Sequence, residues 1–320
     1  MRRCGVTVID LDASVILPVR DGARFLRRLI PALRAQTLPN ERFEIIIADD
    51  GSRDGLIDGI ALEDDWLRVS RGEPANAYAA RNRAAKLARG RVFAFIDADC
   101  IPAPNWLEAG IKALETADMV AGRIRFIVPA RRTVWTLLDI ETTKNQERHV
   151  TLGNAETANL FVRRDTFEEL EGFDPSLPSH GDFDFANRCV RDGGKLLYCP
   201  EALVQHPTRD TCRPFLRAFW DANHSYGSRV ARNGGIPYGR KFRSWVPLVQ
   251  TIRSRRRFGM SLGLDRSWMN ANGIQPSLTE QVKTLPLIYL GLPYMAATAQ
   301  TLGSLSGRQF RRTAGQLPPT

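Results

Sequence analysis

Two apolar runs that stop in aspartate constrain this chain more than any other feature. Phe43-Glu-Ile-Ile-Ile-Ala48 ends in Asp49-Asp50-Gly51-Ser52, and Arg91-Val-Phe-Ala-Phe-Ile96 ends in Asp97-Ala98-Asp99. Short runs rich in β-branched and aromatic residues, bounded by turn residues, read as buried strands. Ser14–Val19 is a further strand, followed by an amphipathic helix over about Ala23–Gln36, and Trp66–Ser70 is a short third one. An alanine-rich stretch, Ala75–Arg89, reads as a helix with Gly90 in the position of a C-terminal cap. Strands alternating with helices imply an α/β fold with a mostly parallel central sheet flanked by helices. Ligands of such sheets sit beyond the carboxyl ends of the strands, where both acidic clusters fall.

The rest of the chain is less regular. Asn105–Thr116 reads as a helix and Met119–Val128 as extended. A strand at Asn159–Arg163 precedes helices near Asp165–Leu170 and Asp182–Arg191, then short strands at Leu196–Cys199 and Leu203–Gln205. Beyond this point the charge becomes lopsided. From Pro207 to Trp268 thirteen Lys/Arg face only Asp210, Asp221 and Asp265, a local +10 that equals the formal charge of the whole chain. A neutral body with a basic C-terminal third implies an anionic surface or ligand on that side. The 24 residues Thr284–Gly307 carry no charge but are broken by Pro286, Gly291 and Pro293, which argues against a regular spanning helix. Cations bracket this segment at Arg253–Arg257 and at Arg308, Arg311 and Arg312, so it is expected to meet an anionic membrane at the interface or to pack as an ordinary helix. The five cysteines are odd in number and lack a CxxC pair, which argues for a reducing compartment. Asp10 and Asp12 interrupt the first apolar run, which argues against a signal peptide.

The acidic clusters have a definite chemistry. Asp97 and Asp99 are two apart in an extended segment, so both carboxylates can face one ligand. Such a pair suits Mg²⁺ or Mn²⁺, which takes one or two carboxylates and keeps its other positions for phosphate and water. Asp49 and Asp50 can accept hydrogen bonds from a base N–H or a ribose hydroxyl, although Asp-Gly after a strand is also ordinary turn chemistry. In Tyr78-Ala-Ala-Arg81-Asn82-Arg83, Arg81 can reach back toward the ligand, while Arg83, Lys86 and Arg89 are expected on a solvated face.

These elements occur in an order that resembles the nucleotide-sugar-binding half of family-2 glycosyltransferases. The match comprises Val15-Ile-Leu-Pro-Val19, Asp49-Asp-Gly-Ser-Arg-Asp54, Ala80-Arg-Asn82, and Phe93-Ala-Phe-Ile-Asp-Ala-Asp99 leading to Pro104-Asn-Trp-Leu107. The resemblance implies the GT-A fold, a nucleotide-sugar donor and a divalent cation on its diphosphate. It assigns Asp50 to the base, Arg81 near the base, Asp97 to the ribose side and Asp99 to the metal, with Pro18 also at the donor. Cys100, where many members have a third Asp, is given no role. Further on, Thr157–Asp165 and Gly172-Phe-Asp174 resemble the acceptor-side segment. His180-Gly-Asp182-Phe-Asp184 resembles the Glu-Asp block that supplies the catalytic base. Asp182 is then the base, with Asp184 the alternative, and Gly181 replaces the usual Glu. His206 follows the last strand, where a His of this family can approach the metal.

The resemblance thus implies an inverting transferase that moves a sugar from a nucleoside-diphosphate sugar, UDP-linked by family frequency, to a glycan or lipid-linked hydroxyl. The expected setting is polysaccharide synthesis at the inner face of the plasma membrane. Residues 1–207 would form the catalytic domain, split near 13–104 and 105–207, and residues 208–320 a basic, partly apolar extension. Gln250-Thr-Ile-Arg253 is followed by Ser254 where processive synthases have Trp, which favours single addition. Two rivals are weighed. A nucleotidyltransferase would carry a glycine-rich basic loop after its first strand, but Pro18-Val-Arg-Asp-Gly-Ala-Arg24 has one glycine. A nucleic-acid-binding protein could use the basic third, but no pattern of a nucleic-acid fold is present and no nucleic-acid partner is expected.

Overall fold

The computed structural model describes residues 11–55, 57, 66–232, 266–287 and 292–314. The chain divides into two units, one formed by Met1–Arg125, Gln146–Pro175 and Gly181–His206, the other by Phe126–Asn145, Ser176–His180 and Pro207–Thr320.

The first unit is built on one sheet. Its strands are β1 (Ala13–Val19), β2 (Phe43–Asp49), β3 (Leu67–Arg71), β4 (Val92–Ile96), β5 (Ile101–Pro102), β6 (Met119–Ile127), β7 (Asn159–Arg163) and β8 (Leu196–Pro207), in the order β3-β2-β1-β4-β7-β6-β8-β5. Parallel pairing joins β3, β2, β1 and β4; the β4–β7, β7–β6 and β8–β5 pairs are antiparallel. The expected α/β fold with flanking helices is observed, with the parallel geometry confined to those four strands. The two short strands expected at 196–205 form the single strand β8, because Pro200 interrupts the apolar pattern without ending the strand.

Covered on both faces, β1, β2 and β4 read as unbroken apolar runs, and alternate residues feed two cores. Val15, Leu17, Ile45, Ile47, Ala94 and Ile96 point to one face, where α1 (Ala23–Arg34) brings Leu26, Leu29 and Leu33. Ile16, Ile46, Ala48, Phe93 and Phe95 point to the other. There α2 (Ala77–Ala85) brings Tyr78, Ala80 and Ala84, and a later helix over Gly181–Arg191 brings Phe185, Ala186 and Cys189. Sharing that face sets these two helices side by side.

The helix α2 ends at Ala85, so Gly90 does not cap it. Gly90 is required for close approach instead: a Cβ there would lie 2.2 Å from the Ala13 carbonyl carbon. The remaining helices of this unit are α3 (Trp106–Ala113), α5 (Gln146–Thr151), α6 (Arg164–Glu169) and α7 (Gly181–Arg191), with α4 (Val134–Thr142) in the second unit. Neither α4 nor α5 is evident in the sequence pattern.

The second unit is helical among its described residues, with α8 (Cys212–Arg232), α9 (Arg266–Ala271), α10 (Leu278–Pro286) and α11 (Leu292–Ala314) beside α4. Leu137, Leu138, Ile140, Phe215, Met269 and Leu292 form its core. α8 and α11 meet backbone to backbone, since a Cβ on Gly227 would lie 2.1 Å from Gln300 O and one on Gly303 1.9 Å from His224 O. Pro286 closes α10 and Pro293 lies in the first turn of α11; among the described residues the uncharged segment falls in these two helices. Among the described residues no helix is long and apolar enough to cross a membrane. The Arg253–Arg257 run and Cys4 lie outside the described residues.

Candidate functional site

The carboxyl ends of β2 and β4 lead into the acidic clusters, as their sequence positions require, with the end of β1 between them. Past β2 the chain turns at Gly51, whose φ of 75° is in the left-handed region that glycine tolerates. A Cβ there would also strike the Pro74 ring at 2.5 Å. Asp50 is buried and accepts the Ala75 N–H at 2.8 Å, with the exposed Arg20 guanidinium 3.7 Å away. Asp49 accepts the Ser52 N–H at 2.9 Å and closes the turn. Pro18 stands opposite Ala48 in the parallel register, one residue short of the end of β1.

Arg83 donates to the Asp49 carbonyl at 2.6 Å, and its guanidinium lies where a Cβ of Gly72 would be. Arg89 donates through Nε to buried Glu44 at 3.0 Å. The expectation of a solvated basic face fails for Arg83, which is half-buried against β2; it holds for Lys86 and for Arg89, whose side chain is 59% exposed although its Nε reaches Glu44.

Past β4, Arg81 donates through Nη2 to Asp97 Oδ1 at 2.7 Å; the arginine side chain is 3% exposed and the aspartate 28%. Asp99 Oδ1 stands 3.7 Å from Nε2 of buried His206 on β8. Together with Cys100 these residues offer three donor atoms within 4.8 Å of one another. The donor set fits a divalent cation. An ion about 2.1 Å from each of Asp99 and His206 fits between them, which is the usual contact distance for Mg²⁺. Cys100 is buried and its Sγ faces Ala158 O at 3.8 Å. Its nearness to the pair was not foreseen; a thiolate would favour Mn²⁺ or softer ions over Mg²⁺.

Asp182 lies in the first turn of α7 and is buried. Its Oδ1 accepts the Tyr78 hydroxyl at 3.3 Å and the Phe183 N–H at 3.0 Å. Oδ2 accepts the Thr157 N–H at 3.2 Å and the Thr157 hydroxyl at 3.4 Å. Burial, and next the neighbouring Asp182 charge, push the Tyr78 phenol well above its usual range, so it remains a donor. Asp184 is differently employed. Arg188 binds it at 3.0 Å and also donates to the Leu170 and Gly172 carbonyls, which ties α7 to the turn before Phe173. Tyr78 and Thr157 were inside stretches singled out in the sequence but had been given no role. The signal for Tyr78 was its spacing from Arg81, three residues along one helix.

The family model described as glycosyl transferase family 2 matches residues 14–171. The glycosyltransferase AglE of Haloferax volcanii is 32% identical over 204 residues, 61% of this chain and 67% of that protein. A pre-mycofactocin glycosyltransferase of Mycobacterium tuberculosis is 29% identical over 222 residues, 65% of this chain; the match spans only 46% of that relative, about half its length. Two solved structures share the fold. A mannosyltransferase from Pyrobaculum calidifontis in complex with GDP-Man and Mn²⁺ has a TM-score of 0.59 at 15% identity, covering 93% of this chain and 87% of its own. GalNAc-T7 with UDP, GalNAc and Mn²⁺ has a TM-score of 0.52 at 21% identity, covering 69% and 51%.

Proposed function

The chain belongs to glycosyltransferase family 2 and has the GT-A fold, and from that premise we propose that it moves a sugar from a nucleoside-diphosphate sugar to a hydroxyl of a glycan or lipid-linked acceptor. The reaction inverts the anomeric carbon, the donor is a UDP-sugar, and the product enters cell-surface or extracellular polysaccharide. One observation carries the reading: Arg81, Asp97, Asp99 and His206 converge at the carboxyl ends of the strands, with Asp182 reached from the same helix through Tyr78. The fold neighbours solved with UDP or GDP-Man and Mn²⁺ support the donor class and the ion.

Asp50 accepts from the base and Pro18 lines its approach, while Arg81 holds Asp97 toward the ribose side. Asp99 and His206 hold Mn²⁺ or Mg²⁺, which supplies Lewis-acid stabilisation of the diphosphate charge when bound. Asp182 takes the proton of the acceptor hydroxyl, for which the two oxygens must come within about 2.6–3.2 Å. Attack opposite the leaving diphosphate inverts the centre. Residues 1–207 form the catalytic domain and 208–320 an extension that brings it to an anionic membrane at the cytoplasmic face. Leu278 and Val282, 77% and 55% exposed and one turn apart on α10, support that contact.

A panel of UDP-, GDP- and dTDP-sugars tests the transferase reading. Thermal stabilisation by one donor that needs Mn²⁺, with release of nucleoside diphosphate, is expected; release of pyrophosphate would instead make the chain a nucleotidyltransferase. Flotation with anionic vesicles tests the extension, and binding that weakens with salt is expected.

A further inference from the structure

The helix α2 presents two side chains, one turn apart, to two different carboxylates of the site. Tyr78 reaches Asp182 at 3.3 Å and Arg81 reaches Asp97 at 2.7 Å. The Arg81 guanidinium also lies 5.7 Å from the centroid of the Tyr78 ring. Positions i and i+3 share a helix face, so a single rigid element sets both contacts.

The phenol has room because residue 181 has no side chain. A Cβ on Gly181 would stand 2.9 Å from Cδ2 and Cε2 of the Tyr78 ring. On another side the ring meets Phe173 with centroids 5.7 Å apart. The ring is thus wedged between Arg81, Phe173 and the Gly181 backbone, and its hydroxyl has little freedom to leave Asp182.

The acceptor count of Asp182 makes this hydroxyl important. A carboxylate offers about four lone-pair positions, and the Tyr78 hydroxyl, Phe183 N–H, Thr157 N–H and Thr157 hydroxyl fill them. An incoming acceptor hydroxyl needs one of these places. The two N–H groups are fixed by backbone and the phenol is wedged. The Thr157 hydroxyl makes the longest contact, 3.4 Å, and swings about a single bond. It is the group that can give way.

We propose that Tyr78 is a positioning residue for Asp182: it pins Oδ1 so that Oδ2, once the Thr157 hydroxyl turns aside, points at the acceptor hydroxyl, and through Arg81 it keeps this carboxylate in register with Asp97. The proposal rests on the reading of Asp182 as the base. Gly181 belongs to the same device, since a larger residue there would displace the phenol.

The test is a pH titration of the Asp182 side-chain carboxyl carbon by NMR, on the full chain carrying ¹³C-labelled aspartate, with the resonance assigned from Asp182→Asn. Removing a donor from a carboxylate disfavours its charged form. In Tyr78→Phe the titration midpoint should therefore rise by about one pH unit, the worth of a hydrogen bond to a charged group. Gly181→Ala keeps the phenol but displaces it, and should shift the midpoint the same way by less. A purely packing role for the ring would leave the midpoint of Tyr78→Phe where wild type has it, and that result overturns the proposal. Turnover of UDP-glucose or GDP-mannose with Mn²⁺, followed in the same variants, separates the two readings. If Asp182→Asn loses turnover and Tyr78→Phe moves neither midpoint nor rate, the base reading stands and the proposal falls. If Asp182→Asn keeps wild-type turnover, the base reading fails and takes the proposal with it, even where the midpoint moves. Support requires both the shifted midpoint and about a tenfold slower turnover in Tyr78→Phe, as expected for a lost charge-assisted bond.

Discussion

Glu44 and Asp12 at one rim of the sheet and Asp99 at the other are carboxylates held in opposite ways. At the amino ends Glu44 is 1% exposed and accepts from Ser14 Oγ at 2.8 Å, the Arg89 N–H at 2.5 Å, Arg89 Nε at 3.0 Å and Arg68 Nη1 at 3.2 Å. Asp12 nearby is gripped by Arg42 at 2.5 Å and by Arg91. At the carboxyl ends Asp99 keeps 31% of its side chain exposed and faces His206 at 3.7 Å, longer than a hydrogen bond. Carboxylate chemistry alone does not distinguish them. The supply of donors does. Where arginines saturate a carboxylate it clamps the fold; where acceptor capacity points outward it can take a ligand.

Substitutions should expose this difference in order of their effect on catalysis. Asp99→Asn should abolish Mn²⁺-dependent donor binding in calorimetry and leave the melting temperature near wild type. A variant that binds Mn²⁺ and donor normally would erase the contrast between the rims. Asp182→Asn should slow transfer roughly 10²–10⁴-fold, the range of a general base, with donor affinity unchanged. Gly51→Ala should weaken donor affinity about tenfold, because strain of about 1–3 kcal/mol and the clash with Pro74 would loosen the Asp50–Ala75 contact. Equal affinity would show that this turn does not shape the donor pocket.

Glu44→Gln should change catalysis least and stability most, by about 1–3 kcal/mol in chemical denaturation. Its pH signature has a fixed sign. Burial raises the Glu44 carboxyl, but the bonds from Ser14, Arg89 and Arg68 and the Arg89 charge hold it below its ordinary 4.5. The folded state therefore binds this proton less readily than the unfolded chain. The stability it contributes is present above pH 4.5 and is lost as pH falls through the folded value. Wild type and Glu44→Gln should converge in stability under acid. A gap that stays constant at all pH values would show that the paired charge is not what matters.

Much of the acidic rim past β2 and β4 was legible because it is local. Strands that end just before Asp50 and Asp97 bring these carboxylates to a rim by their position alone, and Arg81 follows from its place early in a helix. Asp97-Ala98-Asp99, however, forms a turn rather than the expected extended segment, and its two carboxylates face Arg81 and His206 respectively. Arg83 departs from its expected solvated face because pattern alone cannot tell a solvated guanidinium from one folded back onto Asp49 O. The helices over Val134–Thr142 and Gln146–Thr151 were missed for a related reason. They are short, and tertiary contacts rather than periodicity decide them; Gln146, for example, binds the carbonyls of Glu156 and Asn159.

What the sequence determined by itself is the α/β alternation, the family, and the two acidic clusters past the strand ends on one rim, since each depends on neighbours within a few residues. Only the tertiary structure decided that β7 returns antiparallel beside β4, that Cys100 joins Asp99 and His206, and that Tyr78 meets Asp182 across 104 residues of chain. Those pairings depend on which helices share a face of the sheet and on how closely they pack over it. Such contacts are long-range products of packing two cores against one set of strands, and local propensity carries no record of them.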